Sequence, residues 1–78
     1  MHYVYILELK NKIKYVGFSS NLKKRIKEHI SGNVNQTKNN RPIKLIYYSA
    51  FESKLNALKF EKYLKTPSGF AFRNKRLI

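Results

Sequence analysis

The first part of the chain alternates between apolar and polar positions in a way that predicts two paired strands. Residues 3–9 and 13–18 are rich in β-branched and aromatic side chains, and the polar residues 10–12 between them are typical of a turn. This pattern predicts a β-hairpin. Side chains alternate between the two faces of a strand, so a register that pairs Tyr5 with Tyr15 would put both phenols on one face.

A helical pattern follows the hairpin. Apolar residues recur at every fourth position, at Leu22, Ile26 and Ile30. Ser19 or Ser20 is expected to cap the N-terminus of this helix, and Gly32 stands where a C-cap belongs.

The rest of the chain contains one more strand and two more helices. In order, the pattern predicts a polar, Asn-rich loop (33–41), a strand (43–51), a helix (53–65) and a short last helix (70–76). Ser53 is the expected cap of the second helix, and residues 66–69 are expected to end it. The order β-β-α-β-α-α predicts an α+β fold: a small three-stranded, mostly antiparallel sheet flanked by helices. A length of 78 residues is expected to form one domain, residues 1–78.

The charge of the chain narrows the choice of partner. Seventeen Lys and Arg residues against four Asp and Glu give a net charge of +13. A chain this basic is expected to bind a polyanion, and nucleic acid is the leading candidate. An anionic membrane surface is a weaker alternative, since the basic residues are spread along the chain. No apolar run is long enough to span a membrane. The absence of cysteine excludes disulfides and thiolate chemistry. Both features favour a location in the cytoplasm.

The acidic residues limit the metal chemistry. The chain has no aspartate and four glutamates that are far apart in sequence, whereas two-metal nucleases need a cluster of carboxylates. Any metal site is therefore expected to use one ion and one carboxylate.

Five residues are candidates for a catalytic site. The tyrosines Tyr5 and Tyr15 either share a site or simply pack as a cross-strand pair. Arg25 and His29, four residues apart on the first helix, either bind phosphate or form a solvated face. Glu61 lies at the edge of the apolar sector of the second helix, where it serves either as a functional carboxylate or as the partner of a lysine.

Other residues are weaker candidates for contacts with nucleic acid. Gly17 interrupts a strand, which marks either a bulge or the close approach of a ligand or another backbone. Thr37, Arg41 and Lys44 are candidates for contacts with backbone phosphates, and Asn74 belongs to an ambiguous basic segment near the end of the chain.

Taken together, these residues resemble the motifs of the GIY-YIG nuclease superfamily. Residues 3–5 (Tyr-Val-Tyr) resemble the first motif and residues 15–17 (Tyr-Val-Gly) the second. Arg25 follows at the family's spacing, His29 stands four residues later, and Glu61 lies in an Ala-x-x-x-Glu-x-x-Leu-Lys setting. The resemblance covers nearly the whole chain and is strongest to the short, single-domain bacterial branch.

The resemblance has two departures. The first motif lacks its glycine, and Phe18 stands where some relatives have a lysine that would help lower the pKa of a phenol.

The resemblance implies hydrolysis of a phosphodiester in DNA by an in-line water with one Mg²⁺ or Mn²⁺ ion. Glu61 would hold the ion, Arg25 would neutralise a non-bridging oxygen, and His29 would orient the water or a tyrosine. Either Tyr5 or Tyr15 would take the proton from the water. A role in DNA repair or recombination, with selection of DNA by its structure, follows from relatives such as the incision subunit of bacterial excision repair.

A second interpretation remains open, in which the chain is a basic module that binds DNA or RNA without cutting it. In either case, target choice is expected to come from the shape of the nucleic acid, a partner protein or self-association.

Overall fold

Three strands and three helices make up the protein, in the predicted order. The computed structural model describes residues 1–78. Its main elements are β1 (His2–Glu8), β2 (Lys14–Ser19), α1 (Leu22–Ser31), β3 (Lys44–Phe51), α2 (Lys54–Leu64) and α3 (Pro67–Arg76). Short 3-10 turns occupy Lys10–Lys12 and Lys38–Asn40. The predicted α+β class is confirmed. None of the three helices is both long and apolar enough to cross a membrane.

The sheet places β1 in its centre. The strand order is β2-β1-β3, and both pairs are antiparallel. A central strand is covered on both faces, which explains why Val4, Tyr5, Ile6 and Leu7 are all completely buried.

Each face of the sheet has its own apolar cluster. On one face, side chains from β1 and β2 pack with α2; the buried members are Val4, Ile6, Val16, Ala57 and Leu64. On the other face, β1 packs with α1 and with Tyr15 of β2; the buried members are Tyr5, Leu7 and Leu9. Because alternate residues of β1 point to opposite faces, Tyr5 belongs to the face that carries α1.

The register of the hairpin differs from the predicted one. Tyr5 lies opposite Gly17, and Tyr15 lies opposite Leu7. The turn is closed by a hydrogen bond from Leu9 N to Ile13 O, and the left-handed backbone of Asn11 (φ 65°) lies at its centre. The hairpin is therefore centred one residue later than predicted. Since this moves each partner by two positions, the two tyrosines still share a face but are diagonal neighbours.

The first helix has a different N-cap from the predicted one. Asn21 caps α1: its Oδ1 accepts from Lys24 N at 3.1 Å. Ser19, one of the two predicted caps, instead accepts a hydrogen bond from Asn21 N at 3.0 Å and so supports the true cap. At the other end Gly32, with φ 83°, is the predicted left-handed C-cap.

The last helix begins three residues earlier than predicted. Thr66 caps it by accepting from Gly69 N at 3.1 Å, and Pro67 occupies its first turn, where a missing N–H costs nothing. The segment predicted to break α2 therefore also starts α3. The predicted cap of α2, Ser53, is confirmed by its bond from Asn56 N at 3.1 Å.

Gly17 leaves room for the ring of Tyr5. Pairing of β1 with β2 continues through Gly17 without interruption, so the predicted bulge is wrong. A Cβ at this position would overlap Cζ, Oη and Cε2 of Tyr5, because the phenol lies directly across the backbone of β2. The close approach is thus made by a side chain of the protein itself.

We expect Gly17→Ala to lower the free energy of unfolding by about 1–3 kcal/mol, the usual cost of forcing an extra methyl group into a packed interior. Urea denaturation monitored by circular dichroism measures this loss. The same substitution in a Tyr5→Leu background should cost much less, because the ring that occupies the space is gone. An equal loss in both backgrounds would contradict the assigned contact.

Candidate active site

The phenol of Tyr5 joins the central strand to the first helix. Its hydroxyl is hydrogen-bonded to Nε2 of His29 at 2.8 Å. Both residues are completely buried, one on β1 and the other in the last turn of α1. The four-residue spacing of Arg25 and His29 brings Arg25 to the same side of α1.

The hydrogen bond of the second ring nitrogen of His29 determines which nitrogen carries the proton and which partner is the donor to the other. Nδ1 lies 2.8 Å from Oγ1 of Thr37, which is also completely buried. The hydroxyl of Thr37 donates to the carbonyl of Val34 at 3.5 Å. We therefore assign the proton of His29 to Nδ1, which donates to Thr37. Nε2 is then the acceptor, and Tyr5 donates its hydroxyl proton to it.

Burial keeps both members of this pair neutral at pH 7. It raises the pKa of the Tyr5 phenol to about 12; Arg25 opposes the rise, while Tyr15 and Glu61 add to it. Burial also lowers the pKa of His29 below its ordinary value, and the charge of Arg25 lowers it further. A neutral histidine is the form that the assigned hydrogen bonds require.

Tyr15 lies beside this pair and is more open to solvent. Its ring meets the ring of His29 edge-on, with centroids 5.3 Å apart, and lies 6.4 Å from the ring of Tyr5. Tyr15 is half-buried, whereas Tyr5 is sealed. The structure therefore brings the two tyrosines and His29 together but gives them different access to water.

Arg25 supplies a positive charge next to these rings. The interaction with Tyr5 raises the pKa of Arg25, which stays charged. One of its terminal nitrogens, Nη1, donates to Oε1 of Glu28 at 3.2 Å. Its Nε is buried and has no hydrogen-bond partner. A buried donor without a partner is costly, so Arg25 is ready to bind an acceptor such as a phosphate oxygen.

A cavity of about 350 Å³ opens beside Arg25. Lys24 and Glu28, which the sequence analysis does not name, line it together with Phe18. The three-residue spacing of Arg25 and Glu28 on a helix is a signal that could have identified this pair beforehand.

Glu61 contributes the carboxylate. Its side chain on α2 is 20% exposed, and its Oε2 accepts from Nζ of Lys65 at 3.0 Å. The lysine partner considered from the sequence is therefore present. Glu61 is also close enough to raise the pKa of Tyr5, after the larger effect of burial.

The available carboxylates fit one metal ion rather than two. No three His, Asp or Glu side chains lie together in a ready-made metal cage. Mg²⁺ commonly takes one or two carboxylates, several waters and a substrate phosphate. A single partly exposed carboxylate at Glu61 fits that donor set, provided that Lys65 turns aside.

Two of the predicted contacts with nucleic acid are occupied within the protein. Thr37 is completely buried under His29, so the prediction that it touches a phosphate is wrong for this structure. The surface of Gly17 is covered by Tyr5. Both residues support the catalytic candidates rather than reaching outward.

The other three predicted contacts lie outside the cluster of rings. Arg41 donates from Nε to Lys38 O at 3.0 Å and from Nη1 to Ile30 O of α1 at 3.4 Å, so its exposed side chain holds the loop against the end of α1. Lys44 of β3 lies opposite Glu8 of β1 in the sheet register. Asn74 lines a cavity with Glu8. Contact of these exposed residues with nucleic acid stays a prediction.

The GIY-YIG catalytic domain family matches residues 1–76. The chain belongs to the GIY-YIG family. This is a family of nucleases, and its two name-giving motifs lie here on adjacent strands, in β1 and β2.

Relatives of this GIY-YIG chain are bacterial proteins named UPF0213. The one from Clostridium perfringens (strain 13 / Type A) is 44% identical over 66 residues, which cover 83% of this chain and 71% of the relative. The one from Staphylococcus saprophyticus is 39% identical over 77 residues, which cover 97% of this chain and 89% of the relative.

The fold is similar to that of a solved UPF0213 structure. The solution NMR structure of such a protein from Bacillus halodurans has a TM-score of 0.61 and 36% sequence identity, and the match covers 95% of this chain and 80% of that one. The GIY-YIG domain of this chain therefore has the fold of its relatives.

We expect the free energy of unfolding to fall as the pH drops below about 6.5, the ordinary pKa of a histidine. The unfolded chain takes up a proton there, whereas burial keeps His29 neutral in the folded GIY-YIG domain. For this group the free energy of unfolding changes by at most about 1.4 kcal/mol per pH unit. Above this range the contribution of His29 to the free energy of unfolding is constant. Urea denaturation between about pH 5 and 8 measures it.

The two histidines of the chain provide the test variant and its matched control. His29→Gln should remove the slope, and His2→Gln should retain it. A slope that is unchanged in His29→Gln would contradict the assigned environment.

Proposed function

We propose that this protein is a metal-dependent DNA endonuclease that cuts a phosphodiester bond with the help of one Mg²⁺ or Mn²⁺ ion. The observation that carries the proposal is Arg25: its guanidinium has a buried, unpartnered Nε next to the Tyr5–His29 pair. The nuclease family to which the chain belongs supports the same activity. We further propose that it acts in the cytoplasm, selects DNA by structure and serves in repair or recombination.

Arg25 is proposed to bind the scissile phosphate. Guanidinium groups match phosphate oxygens with paired N–H donors, and a charge held in place before the reaction is the strongest kind of catalytic stabilisation. Glu28 holds one end of Arg25 and Tyr5 lies against it, so the guanidinium is already oriented. Lys24, on the rim of the same cavity, adds positive charge.

Tyr15 is proposed to take the proton from the attacking water. Its side chain is only partly buried and can meet water at the site, whereas Tyr5 is sealed and has a pKa of about 12. Tyr15 acts in its deprotonated, phenolate form, after its own proton has passed to solvent. It takes one proton from the water as the water attacks phosphorus in line, the opposite P–O bond breaks, and the leaving oxygen takes up a proton from solvent.

Tyr5, His29 and Thr37 are proposed to position the catalytic groups. The hydrogen bonds from Tyr5 to His29 and from His29 to Thr37 hold the ring of His29 against Tyr15. The same contacts fix the phenol of Tyr5 beside Arg25. A site held this firmly loses little entropy when substrate binds.

Glu61 is the residue that would hold the divalent ion. When bound, the ion supplies positive charge that stabilises the leaving oxygen. Glu61 is partly exposed, which allows it to exchange its bond with Lys65 for a metal ligand.

The alternative is a module that binds DNA or RNA without cutting it. The ion pairs Arg25–Glu28 and Glu61–Lys65 favour this second candidate, because they occupy the two charges that the reaction needs. Both pairs are partly exposed and therefore weak, so a bound phosphate or ion can displace them.

We expect the purified protein to nick supercoiled DNA with Mg²⁺ or Mn²⁺, and to stop when the metal is chelated. Glu61→Gln should lower the rate about 100-fold or more, since a metal ion is worth several kcal/mol of transition-state stabilisation. Glu52→Gln, at an exposed glutamate just before α2, is the matched control and should cut normally. Binding without cutting, equal in all three proteins, would favour the non-catalytic alternative.

We expect Tyr15→Phe to lower the cleavage rate by about 10²–10⁴ at neutral pH, the usual contribution of a general base. The wild-type rate should level off once its base is ionised, whereas the rate of Tyr15→Phe should keep rising about tenfold per pH unit, because hydroxide must then attack directly. Tyr63→Phe, a tyrosine on α2, serves as the control. Tyr5→Phe should be slower but keep the pH profile of the wild type; the opposite result would exchange the roles of Tyr5 and Tyr15.

A further inference from the structure

Arg73 is a buried charge that the proposed reaction does not use. It lies on α3 with only 7% of its surface exposed. Its Nε is buried without a hydrogen-bond partner, and its guanidinium lies over the ring of Phe70, 4.5 Å from the centroid. Burial lowers the pKa of Arg73 from its ordinary value.

No carboxylate compensates this charge. The ion pairs of the protein join Glu8 to Lys12 and Lys14, Glu28 to Arg25, and Glu61 to Lys65. None of them includes Arg73. A buried charge without a counter-ion is strongly unfavourable, and contact with an aromatic face offsets only a part of that cost. The folded protein therefore offers an anion an uncompensated charge and an unpartnered Nε donor at this position.

A cavity of about 310 Å³ adjoins the guanidinium and provides room for that anion. Lys14 and Lys65 line it with Arg73, and no acidic residue does. The hydrophobic walls include Leu64 and Phe70, which reduce the screening of charge by water. The site has three cationic side chains, one of them buried, and space for a small anion.

The same cavity touches the proposed catalytic residues. Tyr15 forms one of its walls, and Lys65 connects it to Glu61. An anion bound to Arg73 would therefore lie next to the position of the scissile phosphate. Nucleic acid carries phosphates at regular, short intervals along each strand, so neighbouring phosphates can occupy both positions.

We propose that Arg73, with Lys14 and Lys65, forms a second phosphate-binding site that takes a backbone phosphate next to the one that is cut. The planar guanidinium can donate two parallel hydrogen bonds to phosphate oxygens. The choice of a nucleic-acid phosphate rests on the proposed function. The binding of an anion here does not rest on the proposed function, since it is argued from the burial of Arg73, its unpartnered Nε and the adjoining cavity.

The substitution Arg73→Met separates this role from a purely structural one. Methionine has a similar length and no charge, so removal of an uncompensated buried cation should leave the melting temperature equal or higher. Affinity for a short DNA duplex should nevertheless fall about tenfold, and the slope of log affinity against log salt should become shallower by about 0.9, the value for one lost phosphate contact. Arg76→Met, at the exposed end of α3, is the matched control and should change affinity less than twofold.

Binding is measured by fluorescence anisotropy in EDTA, so that the result does not depend on cleavage. If the protein binds DNA without cutting it, the nuclease proposal fails, but this binding measurement still tests the phosphate site at Arg73. Conversely, a lower melting temperature with unchanged DNA affinity in Arg73→Met would overturn the phosphate site without touching the nuclease proposal.

A second measurement uses the wild-type protein and inorganic phosphate as the probe. The Nε–H resonance of Arg73 should shift as phosphate is added at constant ionic strength, and a short DNA duplex should displace the phosphate. Absence of the shift would overturn the site. A shift that DNA fails to reverse would overturn its assignment to nucleic acid, in favour of a site for free phosphate.

Discussion

The hydrogen bond between Tyr5 and His29 holds together the candidate active site. It connects the central strand to the first helix across a separation of 24 residues, inside a region from which water is excluded. A buried phenol and a buried imidazole would each be costly without a partner, and each satisfies the other. Arg25 and Tyr15 take their positions from this pair, because one lies on the same helix and the other packs against the same imidazole.

Two small residues make that hydrogen bond possible. Gly17 has no side chain, so the phenol of Tyr5 can cross the neighbouring strand on its way to His29. Thr37 accepts a hydrogen bond from Nδ1–H and thereby leaves Nε2 free to accept a hydrogen bond from Tyr5. Neither residue takes part in the proposed chemistry, yet each controls a property on which the chemistry depends: the position of a ring and the location of a proton.

The scarcity of acidic residues shapes the electrostatics of the surface. With 17 basic and 4 acidic residues, most cations have no partner within the protein. Three of the four glutamates form ion pairs, and two of those pairs involve the residues proposed to bind phosphate and metal. Both pairs are partly exposed and therefore contribute little to stability.

The sequence by itself determined the elements, their order and most of their ends, because hydrophobic period, turn residues and helix caps act over a few residues. Ser53 and Gly32 were predictable for that reason, as was the common face of Tyr5 and Tyr15. The family motifs also named Arg25, His29 and Glu61 as candidates for the site. Tertiary structure alone decided that Tyr5 lies opposite Gly17, that Thr37 is buried under His29, and that Arg73 is enclosed without a counter-ion. These outcomes depend on where the hairpin turn is centred and on how distant segments pack. Neither produces a periodic pattern of hydrophobic and polar residues from which it could be predicted.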